Sequence, residues 1–481
     1  RPAAERTSQV TKEAARHLGR QDHRRLASGQ RARTQALERP ARSLAAVAKL
    51  PSVRALARTL RVSVSTVVEG YGRLAAEGAI VSRPGSGFYV ADQIAPMALS
   101  AVGPKLDRAI DPLWISRQSL EAADDAPKPG CGWLPASWFP DASLRRALRA
   151  LSRAEAGALA DYGSPLGLPA LRQLVGRRLG ERGVEAAPDQ ILLTESGTQA
   201  IDLICRLLLE PGDTVLVDDP CYFNFRALLR AHRAEVVGVP FTPAGPDVEA
   251  FAAALAARRP RLYITNSAVH NPTGATLSPA VAHRVLKLAD LYGIVIVEDD
   301  IFADFEHTPV PRLAGFDGLD RVIQIGSFSK TLSAAARCGF IAARPDWLDG
   351  LVDLRIATAF GGGHLNEALV CAALTDGGYR RHVETLRTRL ARARRAVGQA
   401  LCDLGVEPWI EPRAGMFLWC MLPEGLDAAD LARAALAKGL VLAPGNAFSP
   451  SFTAGRFMRF NVAQMEDPRT LETLRSCLEA R

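Results

Sequence analysis

From residue 50 onward the apolar positions fall into short, sharply periodic runs. Val53, Leu56, Ala57 and Leu60 share one face of a predicted helix, and Pro51-Ser52 suits its start. Arg61-Val62-Ser63 makes a turn. A second helix is predicted from about Val64, with Val67, Tyr71 and Leu74 at the i, i+4, i+7 spacing of a buried stripe and Gly78 at its end. Residues 79–82 and 87–90 then read as two short strands around Arg83-Pro84-Gly85-Ser86. Two helices, a tight turn between them and a hairpin describe a winged helix-turn-helix. Such a fold would put the N-terminal residues of the second helix, Ser65 and Thr66, in the major groove of DNA. Arg54, Arg83 and Gly85 would lie along its phosphates or reach the minor groove.

Residues 1–48 are rich in Arg and Ala and show no persistent apolar face. Residues 91–127 read as a linker, in which only Trp114-Ile115 looks able to dock. From Gly132-Trp133-Leu134-Pro135 strands and helices alternate to the C-terminus, the pattern of an α/β domain with a largely parallel sheet. Its predicted strands are short apolar runs at 191–193, 215–217, 262–265, 294–297 and 322–325.

Charge sharpens this division. Residues 1–90 hold 17 Lys and Arg against 6 Asp and Glu, a net of +11, whereas the rest of the 481-residue chain is slightly acidic. A basic excess confined to one end favours a polyanion partner, double-stranded DNA first; a solvated Arg-rich tail is the alternative for residues 1–44. Eight scattered cysteines without a C-x-x-C pair fit neither a disulfide framework nor a zinc site, and no metal is expected. No apolar run is long enough to span a bilayer and no secretory signal is evident, so the expected location is the cytoplasm, on the nucleoid when DNA is bound. The chain opens on Arg1 rather than Met, so further residues are expected before it.

The candidate chemistry sits where the α/β strands end. Ile325-Gly326-Ser327-Phe328-Ser329-Lys330 leaves a buried strand through small and hydroxyl residues and offers one lysine, followed by Arg337. A desolvated lysine can lose its proton and attack an aldehyde, and the guanidinium fork suits phosphate. A phosphorylated aldehyde of that kind is pyridoxal phosphate; a surface lysine is the plainer alternative. Thr194-Glu195-Ser196-Gly197-Thr198-Gln199 joins a strand to a helix N-terminus, which binds phosphate through backbone N–H groups. Tyr222 after the second strand can stack on a planar ring, and Asn271 in His270-Asn271-Pro272-Thr273-Gly274 can donate to a ring oxygen; His270 is assigned no role. Glu298-Asp299-Asp300 follows the fourth strand. A carboxylate there could face a protonated pyridine nitrogen, with a metal site as the alternative. Arg459, alone in the apolar run Phe457-Met458-Arg459-Phe460, needs a partner. A substrate carboxylate and a structural ion pair are both open.

The run from Leu50 to Val90 resembles the GntR family of bacterial regulators along nearly its whole length. It departs at Val64, where that family carries a base-facing arginine. The family's first helix is not recognisable in residues 20–48. Residues from about 130 to 478 resemble fold-type-I pyridoxal-phosphate enzymes of aminotransferase class I/II. That resemblance implies a mostly parallel sheet with a small C-terminal subdomain from about residue 375, in a domain spanning 128–481. It implies that Lys330 carries the cofactor covalently and that Asp299 faces the ring nitrogen, with Asp300 as the alternative one residue on. Asn271 is implied at the ring hydroxyl, Tyr222 on the ring face, and Thr198, Gln199, Ser327 and Arg337 at the phosphate. Tyr162 would reach the phosphate of a partner subunit in a homodimer, and Arg459 would take the α-carboxylate. Phe302 stands where the family has a tyrosine.

Together the halves resemble the MocR family. The expected function is a pyridoxal-phosphate-dependent transcriptional regulator that senses an amino compound, or the cofactor itself, through Lys330. An active aminotransferase with a vestigial DNA-binding head is the competing reading.

Overall fold

The computed structural model describes residues 49–76, 80–90, 113–123, 125–153, 160 and 162–479. Two compact units divide the chain, residues 1–103 and 104–481. The expectations for residues 1–48, for Gly78 and for residues 91–112 lie outside the described residues.

In the first unit, helix α1 spans Val53–Leu60 and α2 spans Val64–Ala76. Ser52 caps α1 by accepting from Ala55 N at 3.3 Å. Arg61, in the left-handed conformation, ends it with its N–H on the carbonyls of Ala57 and Arg58. The predicted stripe of α2 is the core: Val67, Tyr71 and Leu74 are buried with Leu50, Ala57, Ile80 and Val90. The Tyr71 hydroxyl donates to Pro51 O at 2.9 Å, fixing α2 against the start of α1. Strands β1 (Ile80–Arg83) and β2 (Gly87–Val90) form an antiparallel wing in which Arg83 faces Gly87. The turn between them uses Gly85 at a φ of 74°, where a side chain would be strained. Lys49 and Leu50 pair onto the other edge of β2.

The second unit is built on an eight-stranded sheet. Its strands are β3 (Ile191–Thr194), β4 (Thr214–Asp219), β5 (Glu235–Thr242), β6 (Gly245–Pro246), β7 (Leu262–Thr265), β8 (Val295–Asp299), β9 (Val322–Ser327) and β10 (Gly339–Ala342). They lie in the order β3-β10-β9-β8-β7-β4-β5-β6. β9, β8, β7, β4 and β5 pair in parallel, as the apolar runs predicted. Nearly every residue of β4, β7, β8 and β9 is buried, because helices cover both faces. β10 is antiparallel to both β9 and β3, so β3 and β9 run the same way and end at the same edge.

A smaller antiparallel sheet follows, from β11 (Glu407–Pro408), β12 (Phe417–Met421), β13 (Ala443–Pro444) and β14 (Phe457–Asn461), in the order β11-β12-β14-β13. Its core includes Trp114, Ile115, Leu134 and Trp138 from the other end of the unit. The stretch expected as linker therefore stops short of 127. Trp114 and Ile115 are buried in the helix Trp114–Glu121 and bind that part of the chain into the second unit.

Candidate functional site

The C-terminal ends of β3, β4, β7, β8 and β9 converge on one edge of the large sheet, where open α/β sheets place their ligands. Lys330 stands in the turn after β9. Its Nζ donates to Gly132 O at 2.6 Å, and burial lowers its pKa to about 8. Cys131 and Asp299 oppose that shift, while Arg459 and Arg337 add to it.

Strand alternation decides among the three acids of β8. Side chains of successive residues point to opposite faces. Glu298 faces away from the edge: it accepts from Ser267 Oγ and from the backbone N–H of Leu313 (2.8 Å) and Ala314 (2.9 Å), capping a short helix. Asp300 is taken by Arg312 Nε (3.2 Å) and Nη2 (3.1 Å) and by Gln324 Nε2 (3.0 Å). Of the two candidates, Asp299 and Asp300, the second is therefore engaged by Arg312 and Gln324, which leaves Asp299. Asp299 accepts only from Ile301 N–H at 3.1 Å through its side chain, and burial pushes its pKa up to about 6. A buried carboxyl so placed is stabilised by a nearby cation such as a protonated ring nitrogen.

Arg459, on β14, is fully buried and has no carboxylate partner among the described residues. Nη1 donates to Asn271 Oδ1 at 2.9 Å and Nη2 to Gly130 O at 2.8 Å, while Nε has no acceptor. Phe417 and Phe448 flank the guanidinium at 4.1 and 4.7 Å. Burial brings its pKa down to about 10. Among the described residues Arg459 thus forms no structural ion pair. Asn271 is anchored through its oxygen, which leaves its amide N–H₂ to donate elsewhere. Tyr222 is half-buried, with its hydroxyl pushed up to about 12 by burial against the pull of Arg459.

The phosphate end is assembled from two loops. Helix Gly197–Leu208 begins at the edge, capped by Ser196 Oγ accepting from Gln199 N at 3.1 Å. The N–H groups of Gly197 and Thr198 precede any partner within the helix. Thr198 is exposed beside them. Gln199 turns its side-chain oxygen back to Glu195 N at 2.7 Å, and Ser327 Oγ donates to Cys338 O at 3.0 Å. Both side chains thus brace the backbone. Arg337 is exposed, in a left-handed conformation (φ 43°), and makes no ion pair among the described residues. Gly339 lies where the two loops touch. A Cβ there would meet Gly326 O at 2.8 Å and Gly197 N at 3.1 Å.

Tyr162 is not drawn into the site of its own chain. It is 76% exposed and packs on the exposed ring of Phe360 at 4.8 Å. Phe302 is buried against Phe305 and Phe417, so no hydroxyl arises from that position.

Sequence reasoning missed the support under Lys330. Thr331 Oγ1 bonds Tyr379 Oη (2.6 Å) and Asp304 Oδ2 (3.2 Å), and Asp304 also takes Arg178 (2.5 Å), Arg182 (2.6 Å) and Tyr379 (2.5 Å). Burial would raise the Asp304 pKa, but the two guanidiniums hold it at about 2. No local pattern reveals this cluster, because its members are far apart in the chain.

On the first unit, Arg54, Ser65 and Arg83 are exposed. Thr66 is half-exposed and its hydroxyl bonds Ser63 Oγ at 2.7 Å, and Ser63 also takes Thr66 N and Ser65 Oγ. Arg83 lies over the Tyr89 ring at 4.6 Å.

An amine of lowered pKa, an acid awaiting a cation, an aromatic face and a helix N-terminus with an unpaired arginine fit pyridoxal phosphate. The class defined by this sheet and donor set is the fold-type-I pyridoxal-phosphate domain, here carried with a winged helix-turn-helix. Residues 133–476 match the model of aminotransferase class I and II, and residues 41–90 that of the gntR family of bacterial regulatory proteins. The chain is 32% identical to the uncharacterized HTH-type transcriptional regulator YdcR of Escherichia coli, over 86% of this chain and 90% of that protein. It is 32% identical to the probable rhizopine catabolism regulatory protein MocR of Rhizobium meliloti, over 83% of each. LysN, an α-aminoadipate aminotransferase from Thermus thermophilus solved with N-(5'-phosphopyridoxyl)-L-leucine, superposes with a TM-score of 0.69 at 28% identity, covering 76% of this chain and 94% of that one. The chain belongs to the aminotransferase class I and II family and, with its gntR head, to the MocR type of helix-turn-helix regulators. Pyridoxal phosphate is its cofactor.

Proposed function

We propose that this protein is a DNA-binding regulator whose larger unit detects a compound bearing both a primary amine and a carboxylate. The observation that carries this reading is Arg459: a buried guanidinium with an unsatisfied Nε, close enough to Lys330 to depress its pKa. Bound pyridoxal phosphate supplies an aldehyde carbon reactive toward amines and an electron-withdrawing ring.

This chain's residues do the rest. Asp299 holds a negative charge toward the ring nitrogen, and Asn271 donates from its amide. Tyr222 covers one face. The N–H groups of Gly197 and Thr198, with the Thr198 hydroxyl and Arg337, hold the phosphate; Gln199 and Ser327 shape that cradle by bracing its backbone. Lys330 Nζ would hold the cofactor, with Gly132 O as the acceptor for that nitrogen when it is free, and Arg459 would meet the ligand's carboxylate. Both cations also hold the segment of Gly130 and Gly132, which follows the helix Trp114–Glu121 in the chain. Ligand occupancy is thereby coupled to that segment, and such a switch works only if the ligand binds two states unequally.

A second copy of the chain is part of the reading. Tyr162 and Phe360 present adjoining exposed rings that a partner subunit would cover, with Tyr162 reaching that partner's phosphate. The head would contact duplex DNA with Arg54, Ser65, Arg83 and the Gly85 turn.

The test is retention of DNA by the cofactor-loaded protein, with amino acids and their decarboxylated amines added in turn. Amino acids should change retention and the simple amines should not. Arg459→Gln should retain DNA but lose the response. An aminotransferase is the second reading, favoured by the Lys330 amine, whose pKa of about 8 suits a proton shuttle. Multiple turnover with an oxo acid and no DNA retention would establish it instead.

A further inference from the structure

The outward face of α2 is apolar where a DNA reader is usually polar. Val64 is 51% exposed and Val68 is 55% exposed, one helical turn apart, with Gly72 open a further turn on. They face away from the stripe Val67, Tyr71 and Leu74 that fills the core. The hydroxyls at the start of the helix bond one another at the exposed surface, Ser63 Oγ with both Ser65 Oγ (2.8 Å) and Thr66 Oγ1 (2.7 Å). The two valines stand beside them as the apolar part of that face.

The surroundings indicate what covers them. Residues 49–90 hold six Lys and Arg, at 49, 54, 58, 61, 73 and 83, against two acids, Glu69 and Glu77. The first turn of α2 carries no acidic residue. Arg54, Arg58, Arg61 and Arg83 are exposed. An apolar stripe set in so basic a unit suits a polyanion with apolar groups on its surface better than a protein partner. In duplex DNA the apolar feature of the major groove is the C5-methyl group of thymine. The N-terminal part of the second helix of this motif is what enters that groove.

We infer that Val64 and Val68 read thymine methyl groups, so that this regulator selects sites with thymine at fixed positions opposite the start of α2. The inference rests on the reading of the head as a DNA binder and adds the base it prefers. Burying one methyl against an aliphatic side chain corresponds to about fourfold in affinity.

The experiment selects duplexes from a random pool with full-length, cofactor-loaded protein at fixed salt. It then replaces each recurrent thymine with deoxyuridine, which lacks only the methyl group. Wild-type protein should lose about fourfold at one or two thymines in each half-site. Val64→Ala and Val68→Ala should each reduce the thymine-over-uracil preference at the thymine that side chain covers, and the double variant Val64→Ser/Val68→Ser should bind both duplexes equally. Both valines are exposed, and unchanged thermal melting confirms that the variants fold. Val64→Arg should shift the selected base toward guanine, the usual partner of an arginine fork. Selected sites that bind equally well with uracil would overturn the inference and leave the DNA-binding reading standing. A pool that yields no retained duplex at all would remove both.

Discussion

The two units treat charge in opposite ways. In the head the buried residues are Leu50, Ala57, Val67, Tyr71, Leu74, Ile80 and Val90, and the arginines stand outside. In the larger unit charge is buried: Asp300 pairs with Arg312 and Glu367 with Arg355, Asp218 and Glu298 accept from neighbouring hydroxyls, and Arg459 has no carboxylate partner among the described residues. A surface reader needs only a stable platform and a charged exterior. A site for a charged cofactor needs unpaired charge held in a low dielectric, and every neighbouring charge must be neutralised so that only the intended ones remain available.

That contrast can be attacked from several sides. Its sharpest consequence concerns Lys330. Lys330→Ala should abolish the covalent attachment of pyridoxal phosphate, seen as loss of the borohydride-fixed mass increment, while leaving the head's fold intact. Next in size is the buried pair of Arg355 Nη2 and Glu367 Oε1 at 2.7 Å. Glu367→Ala leaves a buried guanidinium unpaired and also removes the acceptor of Leu168 N, so denaturant unfolding should show a loss of about 3–5 kcal/mol. Capture of the cofactor by the apoprotein should depend on pH through the Lys330 amine. Its depressed pKa makes the neutral, reactive form rise about tenfold per pH unit up to about pH 8 and then level off. An unperturbed lysine would keep gaining reactivity well beyond pH 9, and stopped-flow absorbance separates the two. In the head the effects shrink. Tyr71→Phe removes one hydrogen bond to Pro51 O and should cost about 1 kcal/mol.

Legibility in the sequence follows the same divide. The head's helices, turn and wing are local patterns, and residues 50–90 announce them. The parallel strands of the larger unit are likewise readable as apolar runs, and the turn after β9 marks Lys330. What stayed hidden depends on distance in the chain. The Asp304 cluster joins residues 178, 182, 304, 331 and 379, and no window contains them. Alternation along β8 was available and would have separated Asp299 from Glu298 and Asp300. That Trp114 could dock is legible, but not where, because the surface it fills is made of residues far along the chain, such as Leu386 and Met458. The antiparallel insertion of β10 left no mark in a run of apolar residues that serves either direction equally well.

Gly339 shows what that insertion implies. It is a shim of zero thickness between the turn that starts the helix Gly197–Leu208 and the loop that carries Lys330. A single methyl there would prise the two halves of the anion cradle apart. The grip on the cofactor can therefore be loosened from a position that offers no donor, no charge and no contact to the ligand. Gly339→Ala should weaken pyridoxal phosphate retention in dialysis while Lys330 keeps its reactivity toward small aldehydes.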